Sequence, residues 1–326
     1  MILSAWLTQC AGLLAQAGIE NANSEPYQWL SYISGKNRAY YVARAGEPFD
    51  DAVSKEQSEK LDDICRRRQN REPLAYILGS AGFWGREFKV GPGVLVPRPD
   101  SEIAIEVVLK AYGMTHLSHP TTAPQTSVPD TSAPRAAVSM PASTPDTMRF
   151  MDLCTGSGCL GISLAHAFLD HGMHVKGMLT EISEDASTYA KQNIASHALQ
   201  HELILLACDL YPSRLDVTKY WGDEPADLII VNPPYITDKE ISVLMPEVKN
   251  YEPLLALKGG ADGLDFYRRI LSEGKSFLAS GGTLVMEHGY DQEETVSSLC
   301  AENGYVQVQC FRDYGGQPRV TAAKMP

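Results

Sequence analysis

The chain has 326 residues, 44% of them hydrophobic, seven cysteines and a formal net charge of −12. That length allows one large domain with an appendage, or two domains, around a real core. The acidic balance speaks against a general nucleic-acid-tracking surface, which needs Lys and Arg to neutralise phosphates.

No charged leader with an apolar core and a cleavage site opens the chain, and no uncharged run approaches the roughly 20 residues of a membrane span. The expectation is a soluble, cytoplasmic protein. The cysteines are scattered without a C-x-x-C pair and are expected to be reduced. His197 and His201 lack a third ligand at metal-site spacing, so they predict a solvated helix end and no metal. Arg66, Arg67, Arg68 and Arg71 are interleaved with Asp62, Asp63 and Glu72, the pattern of a solvated helix face.

Residues 1 to about 75 carry helical spacing in Trp6, Leu7, Leu13 and Leu14, then Trp29, Leu30 and Ile33, then Leu61 and Ile64. A small helical domain is expected over 1–78. Over 79–99, aromatic and β-branched residues around Gly91-Pro92-Gly93 predict a hairpin linker. DSEIAIEVVLKAY then returns to helix, with Asp100 or Ser101 as its N-cap. It opens a domain over 100–326, interrupted at about 113–148 by a Pro/Thr/Ser-rich stretch expected to be a disordered insertion.

From Arg149 on, strand-like runs alternate with helical ones: RFMDLC, VKGMLTEI, ELILLACDL, ADLIIVN and GTLVMEHGY, then VQVQCFRDY and RVTAAKM with few residues between them. The alternation predicts a doubly wound α/β domain, and the short last connection an antiparallel C-terminal hairpin. Ligands of such sheets bind beyond the carboxyl ends of the strands. Asp152, Glu181, Asp209 and Asn232 end four successive strands and are expected around one crevice.

Gly156-Ser157-Gly158-Cys159-Leu160-Gly161 has the form G-x-G-x-x-G, with Glu181 about 20 residues on. By itself this fits a nicotinamide cofactor as well as an adenosyl ligand. Asp152, just before the glycines, would oppose a pyrophosphate and suit a cationic ligand such as S-adenosylmethionine; its alternative is a turn or helix-capping carboxylate. Glu181 suits ribose hydroxyls or an acidic helix start, and Asp209 an adenine amino group or a turn cap. At Asn232-Pro233-Pro234-Tyr235, the Asn232 side-chain carbonyl and the Pro233 backbone carbonyl offer paired acceptors for one planar NH₂ group, and Tyr235 a face for stacking. Such acceptors favour a pyramidal nitrogen as it attacks a methyl group. Arg98, between two prolines, predicts a structural salt bridge.

The chain resembles the HemK-type release factor glutamine methyltransferases from about Glu72 to the C-terminus, on REPLAYILGSAGFWGREFKVGPGVLVPRPDSE, DLCTGSGCLGISLA, NPPYI, YEPLLAL with GGADGLDFYRRI, MEHGYDQ and RDYGGQPRVT. The resemblance implies a class I S-adenosylmethionine-dependent methyltransferase fold with a seven-stranded sheet. It also implies a helical domain that docks the release factor, and methylation of the glutamine side-chain amide in the Gly-Gly-Gln motif of that partner. By position the methyl-donor loop falls on Thr155, Gly156, Ser157, Gly158 and Cys159, the ribose carboxylate on Glu181, and the adenine side on Asp209 and Leu210. The substrate amide site falls on Asn232, Pro233, Pro234 and Tyr235. Glu181 stands where the family more often has aspartate, and Leu210 where it often has an aromatic residue. Alternatives are a ribosomal-protein glutamine methyltransferase, a DNA amino-methyltransferase, a nicotinamide oxidoreductase, or a silent adapter. Gly315-Gly316-Gln317 repeats the target tripeptide but sits where a hairpin turn is expected.

Overall fold

A computed structural model describes residues 1–114 and 146–326. They divide into two compact units, Met1–Gly79 with Met245–Tyr251, and Ser80–Leu244 with Glu252–Pro326.

The first unit is helical, with its principal helices at Leu3–Gln16, Glu25–Ser34 and Lys55–Gln69. Leu3, Trp6, Leu7, Cys10 and Leu14 recur at helical spacing and are buried with Trp29, Leu30, Leu61 and Ile64 in one core. Ser54 and Gln57 close a capping box at the start of the third of these helices.

Charge holds the unit together where apolar contact does not. The expected solvated arginine face is a correction in part: Arg66 is exposed, but the Arg68 side chain is only 5% exposed. Its guanidinium makes a two-pronged pair with buried Glu25 at 2.8 and 2.9 Å. Arg71 donates to the carbonyls of Ala17 and Gly18 and pairs with Glu247 at 2.5 Å. The Tyr251 hydroxyl donates to the Asn70 carbonyl at 2.7 Å. These bonds bring Met245–Tyr251 into the helical unit, whereas hydrophobic patterning had left it inside 100–326.

Among the described residues the second unit carries nine strands: β1 Ser80–Phe83, β2 Arg86–Lys89, β3 Thr147–Leu153, β4 His174–Glu181, β5 Leu203–Ala207, β6 Ala226–Val231, β7 Leu278–Glu287, β8 Val306–Arg312 and β9 Pro318–Lys324. The last seven form one sheet in the order β5-β4-β3-β6-β7-β9-β8. Pairing is parallel from β5 through β7 and antiparallel for β7 with β9 and β8 with β9. Alternate residues serve opposite faces: Phe150, Leu228 and Ile230 enter one core, and Met151, Ile229 and Val231 the other. The order reverses between β3 and β6, the point at which an open sheet leaves a crevice.

β1 and β2 form the expected hairpin, but its turn is Trp84-Gly85, both with positive φ, 50° and 68°. Phe83, Trp84 and Phe88 are buried with Ile105, Phe150 and Phe168, so 80–89 is part of the sheet unit's core and not a free linker. The insertion expected at about 113–148 lies mostly outside the described residues; at its far end Thr147 and Met148 already belong to β3. The C-terminal turn is held by Asp313, whose carboxylate accepts from the N–H groups of Gly315 and Gln317, while Gly316 takes φ 80°.

Arg68→Ala would leave the Glu25 carboxylate buried without its partner. We expect a loss of about 3–5 kcal/mol, read as an earlier urea midpoint and lost hydrogen-exchange protection in Glu25–Ser34; an unchanged midpoint would show the pair to be energetically idle.

Candidate active site

A cavity of about 260 Å³ opens beyond the carboxyl ends of β3 to β6. Of the residues singled out in the sequence, Thr155, Gly156, Ser157, Cys159, Glu181, Asp209, Leu210, Asn232 and Pro234 line it, whereas Asp152, Gly158, Pro233 and Tyr235 do not.

The glycine loop is held by hydrogen bonds from its N–H groups: Thr155 donates to the Thr180 carbonyl and Gly158 to the Thr155 carbonyl, while Gly156 donates to a carboxylate. Gly156 N–H donates to Glu181 Oε2 and Ser183 N–H to Glu181 Oε1, both at 2.9 Å. Glu181 is thereby fixed against the loop. Gly158, at φ 83°, is the N-cap of the helix Cys159–Asp170. A Cβ on Gly161 would lie 2.8 Å from Asp152 Oδ2 and 3.0 Å from the Leu179 side chain.

Asp152 corrects one expectation. It is fully buried, and its Oδ2 accepts from Thr155 Oγ1 at 2.5 Å and from Gly161 N–H at 2.9 Å. It therefore caps the helix start from behind the cavity wall, and anything it does for a ligand passes through the loop it holds. Its Oδ1 is buried without a hydrogen-bond partner, as is the Ser157 hydroxyl. Burial raises its carboxyl to about 7, against the lowering effect of Thr155 and Gly161.

Asp209 lines the cavity but makes a two-pronged pair with Arg269 at 3.1 and 3.0 Å. An adenine amino group would meet a carboxylate already engaged. Leu210 is 3% exposed and sits at φ 61°. Phe266 and Arg269, from the helix Asp265–Gly274, line the same cavity, as does Ile182, which is 55% exposed beside Glu181.

On the fourth strand end, Asn232 donates from Nδ2 to Ser101 Oγ at 3.4 Å, leaving its carbonyl oxygen free of that bond. Tyr235 does not line the cavity; its hydroxyl lies 3.5 Å from Glu287 Oε1, and burial pushes its ionisation well up. Arg98 makes the expected ion pair, with Glu252 at 2.5 Å, and also lines the cavity. Ser101, Ile182, Phe266 and Arg269 also line the cavity: Ser101 reads in sequence only as a helix cap, Phe266 and Arg269 lie within GGADGLDFYRRI, and Ile182 carries no motif.

Thiol chemistry is disfavoured here. Burial raises Cys159 to about 12 and Cys208 to about 11, so both stay protonated near neutrality. Among the described residues no group of three or more His, Cys, Asp or Glu is placed to hold a metal, and no helix is long and apolar enough to cross a membrane.

The family described as the PrmC N-terminal domain matches residues 5–79, and the methyltransferase small domain matches residues 137–248. A release factor glutamine methyltransferase of Clostridium botulinum is 31% identical over 324 residues, 99% of each chain. The chain belongs to the release factor glutamine methyltransferase family. A second member, from Geobacter sulfurreducens, is 32% identical over 96% of this chain and 93% of its own. Among solved structures, the hMettl16 catalytic domain in complex with MAT2A 3′UTR hairpin 6 aligns with a TM-score of 0.52 over 83% of this chain and 82% of its own. At 14% identity that likeness speaks for the class I methyltransferase fold alone.

The raised Asp152 carboxyl has a signed consequence. Between the ordinary carboxylate range and about 7 the native protein keeps a proton that the unfolded chain has lost, so this group's contribution to stability falls as pH rises through that window. Asp152→Asn keeps a carbonyl acceptor and cannot ionise. We expect wild type to lose stability relative to Asp152→Asn when thermal unfolding is compared at about pH 5 and about pH 8; parallel pH profiles would refute it.

Proposed function

We propose that this chain transfers a methyl group from S-adenosylmethionine to the side-chain amide nitrogen of the glutamine in the Gly-Gly-Gln motif of peptide chain release factors. The observation that carries this reading is Asn232: its nitrogen is tied to Ser101, and it lines the same cavity as the glycine loop and Glu181.

The cavity suits the methyl donor better than a dinucleotide. A pyrophosphate would seek the N–H groups at the start of Cys159–Asp170, yet Gly161 N–H is already taken by the Asp152 carboxylate. Asp152, behind the cavity wall, acts on the donor only through the loop that it holds. Glu181 is assigned to ribose hydroxyls, the loop Thr155–Cys159 with Gly158 and Asp152 to the methionine portion, and Asp209 and Leu210, with Phe266 and Arg269, to the adenine side. When bound, S-adenosylmethionine supplies a methyl group on a positively charged sulfur.

The protein's own part is orientation. Asn232 Oδ1 and the Pro233 carbonyl hold the two N–H bonds of the substrate amide, so the nitrogen lone pair is drawn out of conjugation as the new bond forms. Pro234 walls the cavity and Tyr235 supports the motif from behind. The departing proton needs no strong base, because alkylation makes it acidic. The helical unit Met1–Gly79 is assigned to docking the release factor, and the cytoplasm, where translation ends, is the place of action. The formal charge of −12 weighs against DNA as the acceptor.

Radiolabelled methyl donor offered with release factor, ribosomal protein and DNA in separate reactions tests this. Label is expected on release factor alone, with Asn232→Ala lowering turnover on the order of 100- to 1000-fold, the scale for removing one oriented polar group. Equal labelling of a release factor whose Gly-Gly-Gln glutamine is replaced by alanine would sink the proposal.

A further inference from the structure

The stretches YEPLLAL, GGADGLDFYRRI and MEHGYDQ lie far apart in the chain and have little part in the roles assigned above. All three send a group to one place, the backbone at Tyr235 and Ile236, just past the two prolines of NPPYI.

Gln292 directly precedes the helix Glu293–Glu302, and its own carbonyl accepts from Val296 N–H at 2.9 Å. Its side-chain amide reaches three backbone groups. Oε1 accepts from Gly289 N–H at 2.9 Å, while Nε2 donates to the Tyr235 carbonyl at 3.2 Å and to the Gly263 carbonyl at 3.3 Å. The partners dictate which way round the amide lies, since an N–H needs its oxygen and two carbonyls need its NH₂ group. Gly263 is pressed against the same carbonyl: it takes φ 74°, and a Cβ there would run into the Tyr235 carbonyl oxygen. A Cβ on Gly259 would lie 2.7 Å from Tyr235 Cα. Ile236 N–H donates to the Leu257 carbonyl, and Gly259 N–H to the Ile236 carbonyl, both at 2.9 Å.

The motif needs such anchoring because it cannot anchor itself. At its start Val231 is paired on both sides, with Leu153 and with Met286. Pro233 and Pro234 then bring no N–H to any partner, and each ring fixes its own φ at about −65°. The direction of the Pro233 carbonyl therefore follows from where the two ends of 232–235 are held. β6 holds the near end, and the Gln292 amide holds the far one.

We propose that Gln292 is a positioning residue for methyl transfer: by donating to the Tyr235 carbonyl against Gly263, it fixes the far end of 232–235 and so aims Asn232 Oδ1 and the Pro233 carbonyl at the substrate amide. The proposal rests on the glutamine-methylating function above and names a group outside the cavity on which its two acceptors depend. The methyl-donor loop is held by other bonds, from Gly156 N–H to Glu181 and from Gly161 N–H to Asp152. Loss of Gln292 is thus felt by the substrate amide and not by the donor.

Gln292→Glu keeps the length and shape of the side chain, and an ionised carboxylate still accepts from Gly289 N–H. It sets an acceptor against the two carbonyls, however, and can donate to neither. The expected result is a fall in kcat on release factor of about 10- to 100-fold, the range for losing a group that orients a site residue, with the Kd for S-adenosylmethionine, read by titration calorimetry, changed less than about twofold. Gln292→Met, of similar length and without charge or hydrogen bonds, should show the same split between kcat and donor binding, and it carries the test even if the Glu variant does not fold. A merely structural Gln292 would weaken donor binding in step with kcat. That outcome overturns the proposal, and so does wild-type kcat in either variant. Failure of the underlying function looks different, since wild type itself would then leave release factor unlabelled and both readings would fall.

Discussion

The site depends on a carboxylate that is never seen from the cavity. Asp152 sits at the end of the central strand β3, wholly out of water, and takes the Thr155 hydroxyl and the Gly161 N–H together. A buried carboxylate is tolerated only where donors converge on it, so the glycine loop must fold back over the strand end to supply them. That requirement fixes where the loop runs. It then brings Gly156 N–H to Glu181, and so ties the ends of β3 and β4 into one rigid edge.

The same device recurs on the other side of the switch point. Glu287 ends β7 and Asp152 is the last residue but one of β3, and both are buried. Between the two carboxylates stands β6, whose end delivers Asn232. A parallel sheet sets its strand ends side by side at about 4.8 Å. Asp152 and Asn232, far apart in the chain, thus come to adjacent strand ends, and rigid strands hold a polar site more accurately than loops would.

The fold was legible because its signals are local and repeat. Alternation of Phe150 with Met151 and of Leu228 with Ile229 marks strands covered on both faces, and Leu3, Trp6, Leu7, Cys10 and Leu14 mark a helix with one apolar side. Glu181, Asp209 and Asn232 were legible for the same reason, since topology alone brings those strand ends to the cavity they line. What escaped was set by partners distant in sequence. Nothing near Asp152 says that its donors are Thr155 and Gly161 and not a ligand, nothing near Tyr235 points to Glu287, and Arg68 looked solvated until Glu25 covered it. The hairpin turn was misplaced because Gly91-Pro92-Gly93 is the louder local signal, although Trp84-Gly85 has the backbone angles.

The excursion Met245–Tyr251 bears on how such a chain divides. It begins shortly after Asn232-Pro233-Pro234-Tyr235 and ends one residue before Glu252, the partner of Arg98. Its anchors, Arg68, Arg71 and Asn70, all belong to the N-terminal unit. Cutting the chain after Gly79 would therefore strand Glu247 without its counter-charges, in the connection between Asn232 and Glu252. The helical unit is an appendage in sequence only; in covalent terms the catalytic domain keeps a piece of it, and the two cannot be exchanged separately between relatives without swapping that piece as well.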